Sequence, residues 1–178
     1  VIGGGNRRRQ VYHITNNGRS ILAEHDMQLS VPEKSSKILG SPPPISTVFG
    51  RKEETIACRE ILLNGSLVVT GMPGIGKSTF ILGLCQELTS QRKVRWAVAE
   101  QFSDYYSIVT SWYPEQPIPE DVDAICHMIQ HSNDLLVIDD VNLISQRHIE
   151  PVHDLLHQLT KSGDIRVILI SRESSGIF

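Results

Sequence analysis

Cysteine is scarce and long hydrophobic runs are missing from this sequence of 178 residues. The three cysteines, Cys58, Cys85 and Cys126, lie far apart and form no Cys-x-x-Cys pair, which argues against a disulfide framework and against a cysteine zinc site. No apolar run approaches the roughly 18 residues that span a bilayer, and no charged-then-apolar segment has the pattern of a signal peptide. We therefore expect a reduced, cytoplasmic protein that does not associate with membranes.

An excess of basic charge is also missing. The chain has 17 Lys and Arg residues against 20 Asp and Glu residues, for a net charge of -3. A nucleic-acid-binding surface usually needs a basic excess, and the cluster Arg7-Arg8-Arg9 is too small to supply one, so we do not expect nucleic acid as a partner. The fractions of hydrophobic residues (40%) and charged residues (21%) are those of a globular domain.

The amino-terminal part of the chain has little that can form a core. Residues 1–30 are predicted to be a tail with a short β-hairpin-like island, because the β-prone stretch 11–15 is followed by the tight-turn signal Asn17-Gly18. Such a hairpin packs on something else, pairs with copies of itself, or stays disordered. Residues 31–46 are rich in Pro and Ser and are predicted to be an extended linker. Because the chain begins with Val1 rather than Met, we expect it to be a piece of a longer protein.

From residue 47 onward, strand and helix patterns alternate. The predicted strands are 67–70, 94–99, a third within 134–141, and 165–170, and the predicted helices are 53–63, one after the glycine loop, one opening at Pro119, and one over 149–159. Residues 100–118 give no clear prediction. This alternation predicts an α/β domain over 47–178, in which a parallel sheet has helices on both faces, preceded by a short β-prone or disordered segment.

The stretch "GMPGIGKST", residues 71–79, has the spacing of a phosphate-binding loop. It follows a predicted strand and opens a predicted helix, which is the context that such a loop requires. Its glycines let backbone N–H groups turn inward around phosphates, and the helix points its positive end at them. We expect Lys77 to bind the β- and γ-phosphates and the Ser78 hydroxyl to ligate Mg²⁺. We name this stretch the phosphate loop.

An acid pair at the end of a buried strand supplies the partner that such a loop needs. Asp139 and Asp140 directly follow the apolar run 135–138. Ligands of parallel sheets bind at the carboxyl ends of the strands, so both carboxylates are expected beside the phosphate loop. We assign Asp139 to Mg²⁺ and Asp140 to orienting or activating water, with capping of the following turn as the alternative role of Asp140.

Two further stretches of the sequence narrow the class of phosphate-loop protein to which the chain could belong. The stretch "VFGR" (48–51) precedes the phosphate loop, and the last predicted strand ends "VILISR" at Arg172. Together with the loop and the acid pair, they resemble the nucleotide-binding domain of STAND ATPases, the group that includes the NB-ARC and NACHT modules. The resemblance covers residues 47–178. It implies that the domain is incomplete at its carboxyl end, because a fifth strand and a lid follow in this family.

The resemblance also implies roles for particular residues. Val48, Phe49 and Arg51 would lie on the adenine side of the nucleotide pocket, and Arg172 would sense the γ-phosphate of ATP. The phosphate cradle would consist of Gly74, Ile75, Gly76, Lys77, Ser78 and Thr79, with Lys77, Asp139, Asp140 and Arg172 as the catalytic set and Ser78 and Asp139 as the Mg²⁺ residues. The family topology places the fourth predicted strand between the first and the third.

The leading hypothesis is a molecular switch of signal transduction or defence. ADP would hold a closed state and Mg²⁺-ATP an open, assembling state, with slow ATP hydrolysis as the reset. A homo-oligomer formed on activation and an unidentified effector protein are the partners that this hypothesis implies. One alternative is an AAA+-like ATPase that acts on nucleic acid or protein. A second alternative makes residues 11–31 an interaction module, because they loosely resemble short amyloid-like signalling motifs.

Overall fold

The computed structural model describes residues 37–44, 50–161 and 163–172 of the chain. These residues all belong to one structural unit. The predicted hairpin island, residues 31–36 and 45–46 of the predicted linker, and the residues Val48 and Phe49 lie outside the described residues.

Strands and helices alternate along the described residues, as the sequence patterns predict. In chain order they are β1 (Ile38–Gly40), α1 (Lys52–Asn64), β2 (Leu67–Thr70), α2 (Lys77–Leu88), β3 (Val94–Val98), α3 (Tyr105–Trp112), α4 (Val122–Gln130), β4 (Leu135–Asp139), a 3₁₀ turn (Val141–Leu143), α5 (Gln146–Lys161) and β5 (Arg166–Ser171). The bounds of β3 and β5 differ from the predicted ones by one residue. No helix in the described part is both long and apolar enough to cross a bilayer.

The strands form one parallel sheet in the order β1-β3-β4-β5-β2. The strand β5 therefore lies between β2 and β4, which is the order that the resemblance implies for the fourth, first and third predicted strands. In the register, Ile168 pairs with Leu67 on one side and with Val137 on the other. Because every pair is parallel, the carboxyl ends of the strands lie together at one end of the sheet.

Helices cover both faces of the sheet, and each face has its own apolar core. One core contains the buried Trp112, Ile125 and Leu156 of α3, α4 and α5 beside Leu136 and Ile138 of β4. The core on the other face lies under α1 and α2 and includes Leu62, Ile81, Leu84, Trp96, Val137 and Ile168. Burial of one such large apolar side chain contributes about 1.5 to 3 kcal/mol to stability. The predicted fold class, a parallel α/β sheet with helices on both faces, is confirmed.

The strand β1 departs from the sequence prediction. Its residues lie in the segment predicted to be a linker, yet they pair with β3 from Ile38 and Val94 to Gly40 and Trp96. Ile38 is buried in the core. Gly40 has φ +92°, and a Cβ at this residue would lie 2.1 Å from the carbonyl oxygen of Trp96, so only glycine fits. The sheet therefore begins inside the predicted linker, before residue 47. A strand of three residues is too short to show a period in the sequence.

Two helices near the middle of the chain also differ from the prediction. The helix α3 lies in the region that gave no clear prediction, and its start is fixed by a capping box between Asp104 and Ser107. The helix α4 begins at Val122, with Asp121 as its N-cap. Pro119 therefore precedes the helix, whereas we predicted it in the first turn. The reason is that the Asp121 carboxylate satisfies a backbone N–H of the first turn, which sets the helix start at Val122, three residues after Pro119.

Candidate functional site

The candidate site lies where the carboxyl ends of β2, β4 and β5 meet. Thr70, Asp139 and Ser171 are the last residues of these strands, and Thr70 pairs with Ser171 in the sheet register. The phosphate loop follows β2, the acid pair ends β4, and Arg172 follows β5. Parallel α/β sheets bind ligands at this end because helix amino termini begin there. The fold therefore brings together three segments that the sequence analysis selected separately.

The phosphate loop has a backbone that glycine adopts more easily than any other residue. The angle φ is +80° at Gly74 and +87° at Gly76, and a Cβ at either residue would meet no heavy atom within 4 Å. The requirement for glycine is therefore conformational rather than steric. Gly76 is the N-cap of α2, and the N–H groups of the first helical turn have no acceptor within the helix. The loop and the helix end together offer positively polarised donors that suit an anion.

The ammonium group of Lys77 lies at the start of the phosphate loop. Its Nζ donates to the carbonyl oxygen of Gly71 at 2.8 Å and to that of Met72 at 3.1 Å. Both acceptors are neutral carbonyl groups of the loop itself. The remaining predicted cradle residues are Ile75, whose side chain is exposed, and Thr79, which is half-buried in the first turn of α2. The ammonium group and the loop donors thus lie within a few residues of one another.

Ser78 and Asp139 form a direct contact between α2 and β4. The Ser78 Oγ donates to Oδ1 of Asp139 at 3.0 Å, and the same carboxylate oxygen accepts from the backbone N–H of Asp140 at 2.9 Å. Asp139 is only 6% exposed. Burial raises the pKa of the Asp139 carboxyl and the charge of Asp140 adds to this rise, while the hydrogen bond from Ser78 opposes it. A cation beside this carboxylate would offset the cost of burying its charge.

The second acid faces the arginine that follows β5. Asp140 precedes the 3₁₀ turn, but its side chain makes no capping hydrogen bond, so the alternative role as a cap is not supported. Its Oδ1 lies 3.9 Å from Nε of Arg172. Both side chains are nearly half exposed, at 40% and 46%, and such an ion pair is weak in water. The Arg172 side chain is therefore only weakly held by Asp140.

Arg51 lies beside the phosphate loop, at the N-cap position of α1. Its Nη2 donates to the carbonyl oxygen of Ile75 at 2.7 Å, and its guanidinium carbon stands 5.6 Å from the centre of the Phe80 ring. Arg51 thus links the start of α1 to the loop. Its contact with adenine stays a prediction, as do those of Val48 and Phe49, which lie outside the described residues.

Asn142 belongs to this site, although the sequence analysis assigned it no role. Its Oδ1 accepts a hydrogen bond of 3.0 Å from the backbone N–H of Arg172. The signal in the sequence is an amide side chain just after the acid pair, where the buried strand has ended. Its partner lies 30 residues away, so the contact depends on the strand order and no local pattern shows it.

A second cluster of charges lies at the opposite end of the sheet. Arg95 of β3 is 4% exposed and donates from Nε to the buried Asp134 at 2.8 Å. It also donates to the carboxylate of Glu115 and to the carbonyl oxygen of Trp112. Its guanidinium stacks over the ring of Tyr113 at 4.1 Å. Since these groups satisfy one another, we interpret the cluster as a structural element rather than as a second site.

The residues at the carboxyl end of the sheet fit a nucleotide with Mg²⁺. The Ser78 hydroxyl and the Asp139 carboxylate are hard oxygen donors, lie in contact, and would gain from a cation because burial disfavours the charge of Asp139. In the described residues, no group of three or more His, Cys, Asp or Glu side chains could hold a metal ion without help. A nucleotide-bound Mg²⁺ does not need such a group, since phosphate oxygens and water supply its other ligands.

No protein-family model and no curated protein matches the chain. Among solved structures, the chain is similar to a Signal Transduction ATPase with Numerous Domains (STAND) protein with a tetratricopeptide repeat sensor from Pyrococcus horikoshii. The identity is 17% and the TM-score 0.55, and the match covers 79% of this chain and 23% of that chain.

Two further solved structures match the chain with similar TM-scores and similarly low sequence identity. The Walker-type ATPase of Pyrococcus abyssi has 12% identity and a TM-score of 0.51, with 70% of this chain and 45% of that chain covered. The Aeropyrum pernix ORC1 protein in complex with DNA has 13% identity and a TM-score of 0.51, with 74% and 41% covered. The chain spans less than half the length of each of these proteins. The likeness concerns the fold: the described part of the chain has the α/β fold of P-loop NTPases.

Proposed function

We propose that this chain is the nucleotide-binding part of a signalling switch of the STAND type, which binds ADP or Mg²⁺-ATP and hydrolyses ATP slowly. The observation that carries the proposal is the meeting of the phosphate loop, the acid pair and Arg172 at one end of the sheet, with Ser78 Oγ 3.0 Å from Asp139 Oδ1. The similarity to the STAND protein adds support at the level of the fold.

The phosphate loop would hold the nucleotide by its phosphates. Backbone N–H groups of the loop and of the first turn of α2 would donate to phosphate oxygens. Lys77 would exchange the carbonyl oxygens of Gly71 and Met72 for oxygens of the β- and γ-phosphates. A hydrogen bond from an ammonium group to an ionised phosphate oxygen is stronger than one to a neutral carbonyl, so this exchange is favourable. The glycine conformations are already in place, so little conformational entropy is lost on binding.

Ser78 and Asp139 would hold Mg²⁺, which neutralises phosphate charge and polarises the terminal phosphoryl group when it is bound. Asp139 is buried at the strand end, whereas Asp140 is half-buried and closer to solvent. Asp140 is therefore the carboxylate that can reach water, and we assign it the orientation of the attacking water. The two neighbouring carboxylates thus take different roles because their exposure differs.

Arg172 would report which nucleotide is bound. Its ion pair with Asp140 is long and exposed, and a terminal phosphate offers a stronger partner that ADP lacks. Arg172 directly follows Ser171, and Ser171 pairs in the sheet with Thr70, the residue before the phosphate loop. A change in the position of Arg172 would therefore be passed to the loop through this strand pair. A switch requires such a difference in contacts between its two ligands. We propose that the ATP-bound form assembles into a homo-oligomer.

Nucleotide titration of the 178-residue chain tests the proposal. We expect binding of both ADP and Mg²⁺-ATP, weakened roughly tenfold or more by Lys77→Ala, because a charged donor to phosphate is lost. Lys161→Ala is the matched control, since Lys161 is exposed in the last turn of α5. Absence of binding by the wild-type chain, or unchanged binding by Lys77→Ala, would overturn the proposal.

An AAA+-like ATPase that acts on nucleic acid or protein is the second candidate. It is favoured by the similarity to the DNA-bound ORC1 protein, whose TM-score of 0.51 is close to the 0.55 of the STAND protein. This candidate predicts sustained ATP hydrolysis that duplex DNA or unfolded protein stimulates. The switch predicts slow hydrolysis that neither of them changes. Steady-state phosphate release with and without these additions distinguishes the two.

The proposal that residues 11–31 form an interaction module rests on sequence alone, because this segment lies outside the described residues. It predicts dye-binding fibres from an isolated 11–31 peptide. A random-coil circular dichroism spectrum at high peptide concentration would contradict it.

A further inference from the structure

Asn142 connects the turn after β4 to the residue that follows β5. Its Oδ1 accepts a hydrogen bond of 3.0 Å from the backbone N–H of Arg172. The pairing of β4 with β5 ends at Ile138 and Leu169, so this contact lies beyond the last pair of the ladder. The Asn142 side chain thus continues the link between the two segments after their backbones stop pairing.

The turn that carries Asn142 is itself held in place. The N–H of Leu143 donates to the carbonyl oxygen of Asp140 at 2.8 Å, and the N–H of Asp140 donates to the Asp139 carboxylate at 2.9 Å. Asp140 has φ +54°, a left-handed conformation that a residue other than glycine keeps only when its surroundings hold it. These contacts fix the point from which Asn142 reaches Arg172.

The placement of the Arg172 side chain depends on its backbone. The ion pair of its guanidinium with Asp140 is long, at 3.9 Å, and exposed, so this partner does not fix the side chain. Arg172 directly follows Ser171 at the end of β5, and the hydrogen bond from its own N–H to Asn142 holds the backbone from which its side chain begins. Displacement of an interacting group by about 1 Å can cost roughly 100-fold in a reaction.

We propose that Asn142 is a positioning residue for recognition of a terminal phosphate: it fixes the Arg172 backbone so that the guanidinium can leave Asp140 for the γ-phosphate of a nucleoside triphosphate. The inference rests on the proposed function, because it requires a nucleotide at the phosphate loop. Asn142 itself touches no part of the nucleotide in this arrangement. Binding of a nucleoside diphosphate therefore does not depend on it.

The test compares the Kd values of Mg²⁺-ATP and ADP for the 178-residue chain and its Asn142→Ala variant. We expect Asn142→Ala to weaken Mg²⁺-ATP binding roughly tenfold and to change ADP binding by less than about twofold. Arg172→Ala should likewise weaken Mg²⁺-ATP binding and leave ADP binding nearly unchanged. The double variant should lose no more Mg²⁺-ATP affinity than Arg172→Ala alone, because Asn142 acts on the nucleotide only through the guanidinium that Arg172→Ala removes.

Two additional variants separate the hydrogen bond from other effects. Asn142→Asp keeps an acceptor oxygen and, at high salt, which screens its added charge, should restore the ratio of the two affinities towards that of the wild type measured at the same salt. Asn142→Leu lacks an acceptor at similar size and should behave like Asn142→Ala, so it replaces the alanine variant if that one fails to fold. Thermal unfolding of each variant checks the fold.

The outcomes distinguish the inference from the proposed function. If the wild type binds no nucleotide, or if Lys77→Ala or Arg172→Ala binds Mg²⁺-ATP as tightly as the wild type, the proposed function fails and the inference fails with it. If Arg172→Ala weakens Mg²⁺-ATP binding selectively while Asn142→Ala binds both nucleotides as the wild type does, only the inference is overturned. Equal losses for ADP and Mg²⁺-ATP in Asn142→Ala, or no restoration by Asn142→Asp at high salt, would overturn the inference as well.

Discussion

The Ser78 hydroxyl donates a hydrogen bond of 3.0 Å to Oδ1 of Asp139, although 61 residues separate the two in the sequence. The contact joins the first turn of the helix after the phosphate loop to the end of a central strand. Both atoms are oxygen donors of the kind that Mg²⁺ prefers, and one of them belongs to a buried carboxylate. This geometry places the proposed metal residues next to each other before any ligand is considered.

Removal of the Ser78 hydroxyl should abolish the effect of Mg²⁺ on nucleotide binding. We expect Ser78→Ala to weaken ATP binding roughly tenfold in the presence of Mg²⁺ and to leave metal-free binding unchanged, because only the metal contact is lost. Titration with and without EDTA measures both values. Ser90→Ala is the control, since the Ser90 hydroxyl bonds only to the carbonyl oxygen of Glu87 among the described residues. An unchanged Mg²⁺ effect in Ser78→Ala would contradict the assignment.

Arg51 should stabilise the phosphate loop through the carbonyl oxygen of Ile75. Because a hydrogen bond from a charged donor contributes about 1.5 to 3 kcal/mol, we expect Arg51→Ala to speed hydrogen exchange of the loop amides and to weaken nucleotide binding. Exchange measured by mass spectrometry reports the loop directly. Arg59→Ala is the control, because it removes an exposed ion pair with Glu87 on the same two helices. Equal exchange in the two variants would argue against this role of Arg51.

The buried ion pair of Arg95 and Asp134 should be important for stability. We expect Asp134→Ala to lower the free energy of unfolding by about 3 to 5 kcal/mol, because it leaves the guanidinium buried without its buried carboxylate partner. Glu115→Ala should cost only about 0 to 1 kcal/mol, since its carboxylate is nearly half exposed. Urea unfolding measures both. Similar losses of unfolding free energy in Asp134→Ala and Glu115→Ala would show that the burial of Asp134 does not make it the more important partner of Arg95.

The contribution of Glu115 should disappear in acid. Burial acts to raise the pKa of Glu115, but the hydrogen bonds from Arg95 and from the backbone, together with the charges of Arg95 and Lys93, outweigh it and lower the pKa below its ordinary value. A carboxyl with a lowered folded pKa adds stability above its unfolded pKa of about 4.3 and loses it as the pH falls through the folded value. The difference in unfolding free energy between wild type and Glu115→Gln should therefore shrink below about pH 4.3. If the difference in unfolding free energy stays constant as the pH falls below about 4.3, the ionised Glu115 carboxylate does not contribute to stability.

The thiol of Cys85 should be inert in the folded protein. Burial raises its pKa to about 12, and its side chain is fully buried in α2. Alkylation requires an accessible thiolate, so we expect iodoacetamide to modify the half-buried Cys58 first and Cys85 only after unfolding. Peptide mass spectrometry after timed labelling gives the order. Equal labelling of both in the native protein would contradict the burial of Cys85.

The strands that carry the site could be predicted because their signals are local. The apolar run 67–70 leads into a glycine loop, and the run 135–138 ends in two acids, so strand, turn and polar residue follow one another within ten residues or fewer. The strand Ile38–Gly40 was missed because three residues show no period, and its neighbours are Pro and Ser. The helix Tyr105–Trp112 was missed because its start depends on a reciprocal cap between Asp104 and Ser107 rather than on a strong apolar pattern.

The residues around the phosphate loop show the same division between local features, which the sequence predicts, and long-range contacts, which it does not. Lys77, Ser78 and Asp139 were found because their residue types and spacing follow from phosphate and metal chemistry. The contact of Arg51 with the loop and that of Asn142 with Arg172 were not found. They join positions 24 and 30 residues apart, and an arginine or an asparagine at either position could equally have pointed to solvent.

By itself, the sequence of this protein determined that strands and helices alternate, that a glycine loop suited to phosphates follows the first apolar strand, and that two acids end a buried one. These features depend on backbone conformation and side-chain chemistry within short stretches. Only the tertiary structure decided that Ser78 meets Asp139, that Arg51 reaches Ile75, that Asn142 holds Arg172, and that the sheet begins at Ile38. The physical reason is that strand order and register bring distant segments together through burial of the whole core, and no single segment contains that information.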